Sequence, residues 1–246
     1  MKQIHLQNER DIMILATIIN DPHKKLLDDI ELFSQKLNDI FSEIYLCISD
    51  FTDLSVIHLC EEMFFNTKVI ERKGAAHARR SVLNFVAELD SSEDIMYCDF
   101  DRVLTWIKMF PEELEVITNK KLNSDYVVLG RTKEAFESHP ESWQATEAIT
   151  NKISSKYFGI NDLDITAGAS IMSAYAASMI AHKSSHSHTD CEWPYLVKKA
   201  GYLIGSKKVN GLLYMDINSV NFPEEEAKEY FSRLELSQKI LSVLFK

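Results

Sequence analysis

The feature that most constrains this chain is an alternation that runs through its first half. Short apolar runs are each followed by a stretch with apolar residues at helical spacing. Ile12 to Ile19 is β-branched and stops at Asn20-Asp21-Pro22, a turn signal. Leu26, Leu27, Ile30, Phe33, Leu37 and Ile40 then recur with the period of a helix. Ile44 to Ile48 is a second apolar run, ending at Asp50. Thr52 to Phe65 reads as the next helix, with Thr52 as its N-cap. Thr67 to Ile70 is a third strand, and Ala75 to Leu89 a third helix with Ala78, Val82, Phe85, Val86 and Leu89 inward. Ile95 to Cys98 and Tyr126 to Leu129 are the fourth and fifth strands. Uninterrupted apolar strands suit a sheet covered on both faces. The alternation predicts an α/β fold, with a mainly parallel central sheet flanked by helices and right-handed crossovers.

Such a sheet gathers the residues that follow its strands onto one rim, where ligands bind. Thr17, Asn20, Asp50, the Arg72-Lys73-Gly74 turn, Asp99 and Asp101 should meet there. Asp99-Phe100-Asp101 is the most chemically loaded of these. Two carboxylates flanking one residue repel each other and invite a hard divalent cation, Mn²⁺ or Mg²⁺, which in turn neutralises phosphate. The same acids also suit the cap of a following helix.

The second half has a different texture. Phe136 to Phe158 is helical in pattern, with Pro140 near its start. Asp164 to Ala181 reads as a helix of small residues, too short and too rich in Ala, Ser, Thr and Gly for a membrane span. A polar loop, Ser184 to Thr189, leads into a helix opened by Asp190-Cys191-Glu192-Trp193-Pro194. Tyr202 to Ile204 and Leu212 to Tyr214 look strand-like. Pro223 to Leu244 closes as an amphipathic helix with Pro223 near its first turn. There is no repeat and no Gly/Ser linker, so the 246 residues read as one domain.

The net charge of −10 argues against a nucleic-acid or acidic-membrane surface while leaving room for a local basic pocket. Cys47, Cys60, Cys98 and Cys191 form no Cys-x-x-Cys pair and read as reduced thiols. Met1 to Asp11 is polar, without the apolar core of a signal peptide, so a cytoplasmic location is expected.

In this setting Asp99-Phe100-Asp101 resembles the Asp-x-Asp motif of GT-A-type glycosyltransferases. The resemblance implies a nucleotide-diphospho-sugar donor and a metal held by Asp99 and Asp101. It divides the domain into a nucleotide-binding α/β half, residues 1–130, and a helix-rich acceptor half, residues 131–246. Asp50 matches an acid that contacts the base. Gly74-Ala-Ala-His-Ala-Arg79-Arg80 is similar to a segment that lies near the nucleotide, with Arg80 where the family usually has Asn. Thr17, Asn20, Lys73, Arg79 and Asp99 are then nucleotide-sugar contacts. The residues His182, His186 and His188 read first as a solvated loop; the resemblance implies His188 as a third metal ligand. Asp190 or Glu192 corresponds to the acid that activates the acceptor hydroxyl, although both also suit a helix start. Gly130-Arg131-Thr132 is a phosphate or acceptor contact, or a plain turn. Trp143 and Trp193 stack on a sugar or belong to the core.

Two other readings use the same residues. Asp99-x-Asp101-x-Val103-Leu104 also resembles the first motif of haloacid-dehalogenase-type phosphatases, with Asp99 as nucleophile, Asp101 as general acid and Mg²⁺ as cofactor. A non-catalytic GT-A-like binding protein is the third.

Overall fold

The computed structural model describes residues 13–89, 91–120, 123–219 and 225–245, so Met1 to Ile12 and Pro223 lie outside the described residues. The five expected strands are present: β1 (Ile14–Ile19), β2 (Glu43–Ser49), β3 (Asn66–Ile70), β4 (Ile95–Cys98) and β5 (Tyr126–Arg131). Two more, β6 (Ala169–Met172) and β7 (Ile204–Val209), extend the sheet to seven strands in the order β3-β2-β1-β4-β6-β5-β7. Neighbours are parallel except at β6, which runs antiparallel to both β4 and β5. The protein is therefore α/β with a mostly parallel sheet.

Alternate strand residues feed two cores. Leu15, Leu46, Ile48, Met96 and Cys98 point to one face, where α1 (Leu27–Ile40), α2 (Leu54–Glu62), α4 (Phe100–Met109) and α5 (Pro111–Thr118) bury Ile30, Val56, Trp106 and Leu114. Ile14, Ala16, Tyr45, Cys47, Ile95 and Tyr97 point to the other. There α3 (Ala75–Ala87), α7 (Glu141–Phe158), α8 (Ala174–Lys183), α9 (Thr189–Lys199) and α10 (Glu226–Leu241) contribute Val82, Phe158, Ile180, Trp193 and Ile240. The period of two explains why both faces are apolar although each core is separate. A short helix, α6 (Lys133–Glu137), follows β5, and Pro140 separates it from α7. All four cysteines are buried and free; burial pushes the Cys47 thiol up to about 11 and Cys60 up to about 12.

Three local expectations are corrected. Asp53, not Thr52, caps α2: its carboxylate accepts from Ser55 N at 2.9 Å, while Thr52 Oγ1 accepts from Asp21 N at 3.2 Å. The 164–181 segment is not one helix. A 3₁₀ turn, Ile165–Ala167, ends at Gly168 with φ 73°, then β6 forms, and Ser173 caps α8 by accepting from Ala176 N. Four residues, Ala-Ser-Ile-Met, between two helical pieces are too few to carry a period that separates strand from helix. The last strand lies at 204–209 rather than at 202–204 with 212–214. Asn210 N and Gly211 N donate to the Glu113 carboxylate at 3.0 Å, which takes those groups out of any ladder.

Candidate functional site

From β1 the chain steps to β2 and β3 on one side, then returns to β4 on the other. The crevice beyond the carboxyl ends of β1 and β4 is thus the topological switch point of the sheet, the default ligand position in open α/β folds. Asn20 follows β1 there and is exposed; Asp99 and Asp101 follow β4. Because β6 is antiparallel, its first residue Ala169 pairs with Cys98, so Gly168 reaches the same rim from the opposite direction.

Asp99 occupies the N-cap position of α4, but its side chain makes no cap bond. Its Oδ2 instead accepts from Arg79 Nη2 at 2.9 Å, and its Oδ1 accepts from the Tyr97 hydroxyl. Arg79, on α3, has a side chain only 13% exposed. Its Nη1 donates to Asp190 Oδ1 at 3.1 Å and to Thr189 Oγ1 at 3.2 Å. Burial opposes the Arg79 charge, but Asp99 and Asp190 outweigh it and hold the guanidinium protonated. Burial likewise keeps the Tyr97 phenol protonated and donating. Gly168 is set by its φ of 73° and not by space, since a Cβ there would stand at an ordinary contact distance, 3.6 Å, from Arg79 Nη2.

Asp101 lies in the first turn of α4, and its Oδ2 accepts from Asn218 Nδ2 at 2.8 Å. Asn218 sits in a 3₁₀ turn, Asp216–Asn218, and is fixed by Thr105 Oγ1 and Met215 N. Burial pushes the Asp101 carboxyl up, helped by the Asp99 charge and opposed by Arg102 and Asn218. The donor set at the switch point is thus two hard carboxylates. Among the described residues, no three His, Cys, Asp or Glu side chains converge as a ligand set. His188 does not complete one: its backbone caps α9, and its Nδ1 lies 2.9 Å from Ser187 Oγ. Two carboxylates still fit Mg²⁺ or Mn²⁺ of the kind that arrives with substrate phosphates, since such ions take one or two carboxylates and fill the rest with phosphate and water.

The remaining sequence candidates separate. Thr17 is fully buried and donates to the Cys98 carbonyl at 2.6 Å, tying β1 to β4 beneath the rim. Asp50 accepts from Arg72 N at 2.9 Å, and the Arg72 guanidinium lies over the exposed Phe51 ring at 5.0 Å. Lys73 is exposed and pairs with Glu71 at 2.7 Å. Asp190 caps nothing; it is the second anion on Arg79. Glu192 shares no partner with Asp99: it is buried and accepts from Ser184 Oγ at 2.5 Å and from the Ser185 and His186 N–H groups at 2.7 Å, which pins the 184–188 loop. Trp193 is core, edge-on to Tyr97 at 5.1 Å. Trp143 lies under Arg233 at 3.9 Å.

A second concavity opens at the ends of β5 and β7. Lys133, Asn151, Lys152, Ser155, Lys156, Asp162 and Lys208 line it. Arg131 forms its floor and is spent internally, donating to both Asp164 oxygens at 2.8 Å and to Glu147 at 2.7 Å. Sequence reasoning missed Asn218, Tyr97 and Asp164. Asp164 and Asn218 lie 33 and 117 residues from the groups they hold, and no local pattern marks them.

The sequence matches no protein-family model and no curated protein. The fold does match solved structures. Glucosyl-3-phosphoglycerate synthase from Mycobacterium tuberculosis, in complex with UDP, superposes with a TM-score of 0.56 at 13% identity, over 95% of this chain and 80% of that one. The same enzyme with Mn²⁺, UDP-glucose and phosphoglyceric acid gives 0.54 at 14% identity, over 95% and 80%. With Mn²⁺, UDP and glucosyl-3-phosphoglycerate it gives 0.56 at 12%, over 94% and 79%. The chain has a nucleotide-diphospho-sugar transferase-like fold. Among the described residues no helix is long and apolar enough to cross a membrane.

Proposed function

We propose that this protein is a glycosyltransferase that takes its sugar from a nucleotide-diphospho-sugar, with Mn²⁺ or Mg²⁺ bound alongside the diphosphate. The observation that carries the reading is Asp99-Phe100-Asp101 at the β1/β4 switch point, in a fold shared with an enzyme solved with UDP-glucose and Mn²⁺. Asp101 and Asp99 are the carboxylates that would hold the ion, which supplies positive charge to the departing diphosphate. Asp50, with Phe51 and Arg72 beside it, forms the base end of the donor site; Asn20 and Lys73 flank the same rim. Arg79 is the buried cation beside Asp99, and its planar fork suits phosphate oxygens. Asp190 is the acid available to take the acceptor hydroxyl's proton; Glu192 is committed to its loop. The phosphatase reading is not favoured, because the fold is shared with a glycosyltransferase.

The acceptor belongs to the concavity beyond β5 and β7. Lys152, Lys156 and Lys208 line it with no carboxylate within ion-pair distance among the described residues, although the Lys208 charge is felt by the buried Asp164. Three ammonium groups in one cleft support a small acidic acceptor, and the structural neighbour is solved with phosphoglyceric acid. The test is a thermal-shift screen of UDP- and GDP-sugars with and without Mn²⁺, followed by a product assay with acidic and neutral acceptors. No shift with any nucleotide sugar refutes the reading. Binding without turnover on any acceptor leaves a binding protein. For Asp190→Asn, a rate lowered by about 10²–10⁴ with donor affinity retained identifies the base.

A further inference from the structure

The two buried arginines near the rim are built differently, and the difference carries an inference. Arg131, 2% exposed, uses its backbone N–H, Nε and Nη2 on Asp164, and Nη2 also on Glu147 and Thr166. It is a finished structural pair. Arg79 spends Nη1 and Nη2 on Asp190, Thr189 and Asp99, but its Nε is buried with no hydrogen-bond partner. A buried guanidinium with an idle donor is an incomplete seat. What it holds is also unusual: Oδ2 of Asp99, the first carboxylate of the pair at the switch point, whose other oxygen is taken by Tyr97.

We infer that Arg79 is a latch on Asp99. In the free protein its guanidinium holds the carboxylate that a divalent cation needs, and the cation enters by displacing it toward the diphosphate. The inference rests on the sugar-nucleotide reading of the site. It follows that the ion binds poorly alone and well with a nucleotide, because the diphosphate gives the released guanidinium new acceptors. Asp190 and Thr189 keep one end of the fork anchored, so the movement is a rotation of one side chain on α3 and not a rearrangement of the fold.

The test is Mn²⁺ binding to the full chain without nucleotide, read from the electron paramagnetic resonance of free Mn²⁺. Arg79→Gln should tighten Mn²⁺ by about tenfold or more, the equivalent of one modest ion pair. Arg79→Lys keeps a buried cation but cannot span Asp99 and Asp190 together, so it should fall between; it also guards against unfolding of the Gln variant. Arg80→Gln removes the same charge one residue away. Its guanidinium bonds the His186 carbonyl at 2.6 Å, not a carboxylate, so Mn²⁺ affinity should stay within about twofold. Arg79→Gln and Arg80→Gln alike, or no gain from Arg79→Gln, overturns the latch. Binding of the same panel of UDP- and GDP-sugars by the wild type at saturating Mn²⁺ is measured in parallel. No binding of any of them refutes the sugar-nucleotide reading, whereas failure of the latch alone leaves that binding intact.

Discussion

His139 should act as an acid sensor of stability while staying neutral in the folded protein down to about pH 4. Its Nδ1 lies 2.9 Å from the Ala135 carbonyl, which accepts only, so Nδ1 carries the hydrogen. Its Nε2 then accepts from Arg102 Nη1 at 3.2 Å. A second proton on Nε2 would set two cations against each other inside the protein. Burial, with Arg131 and Arg102 adding repulsion, pushes the imidazole down to about 3. The folded value lies below that of an unfolded histidine, about 6.5. Between these values the unfolded chain binds a proton that the folded one refuses. Stability is therefore complete above pH 6.5 and is lost as pH falls, at about 1.4 kcal/mol per pH unit. Between pH 6.5 and 5 the loss from this residue is about 2 kcal/mol. Urea unfolding of the wild type and of His139→Gln across this range measures it. The glutamine keeps a donor and an acceptor but has no proton to gain, so the two curves should converge as pH falls. Parallel curves, or a His139 ring that titrates near 6.5 by NMR, would refute the reasoning.

Other perturbations have definite sizes. Asp164→Asn strips the buried Arg131 of its main partner and should cost about 3–5 kcal/mol in urea unfolding. The wild-type Asp164 carboxyl is held down to about 2; burial opposes this and Arg131 outweighs it, so its contribution is present above about pH 4 and is lost as pH falls toward 2. Glu192→Ala leaves the Ser185 and His186 N–H groups without their acceptor and should cost about 2–3 kcal/mol, while nucleotide-sugar affinity stays unchanged. Gly211→Ala drives a Cβ to 2.0 Å from the Trp106 indole, so a melting-temperature loss equivalent to at least about 1–3 kcal/mol is expected.

The parallel half of the sheet was legible because each strand there is an apolar run closed by its own stop signal, as Ile95 to Cys98 is by Asp99. The rim followed from the same pattern, which is why Asp99 and Asp101 were expected on it; Arg79 was singled out only through the resemblance of the Gly74 to Arg80 segment. β7 was largely hidden: it is an edge strand, and Ile204-Gly-Ser-Lys-Lys-Val209 shows the polar, charged character that protects an edge, not an apolar run. β6 was hidden by its length of four residues between two helical pieces. The partners of the site were hidden by distance along the chain. Nothing near Asn218 announces Asp101, and nothing near Glu192 distinguishes a catalytic acid from one that fastens a loop.

The reversed strand makes α8 a ruler. β6 enters the sheet at the rim that carries Asp99 and leaves it beside Ile95 and Tyr126, at the opposite edge. The chain must then travel back before Asp190 can meet Arg79, and α8 makes that return along α3. Its ten residues span about 15 Å at 1.5 Å each. Removing one helical turn would shorten the arm by about 5 Å, more than any of the hydrogen bonds around Arg79 can stretch. Changes of length in α8 would therefore retune the gap between the two carboxylates that share Arg79, while every strand keeps its neighbours.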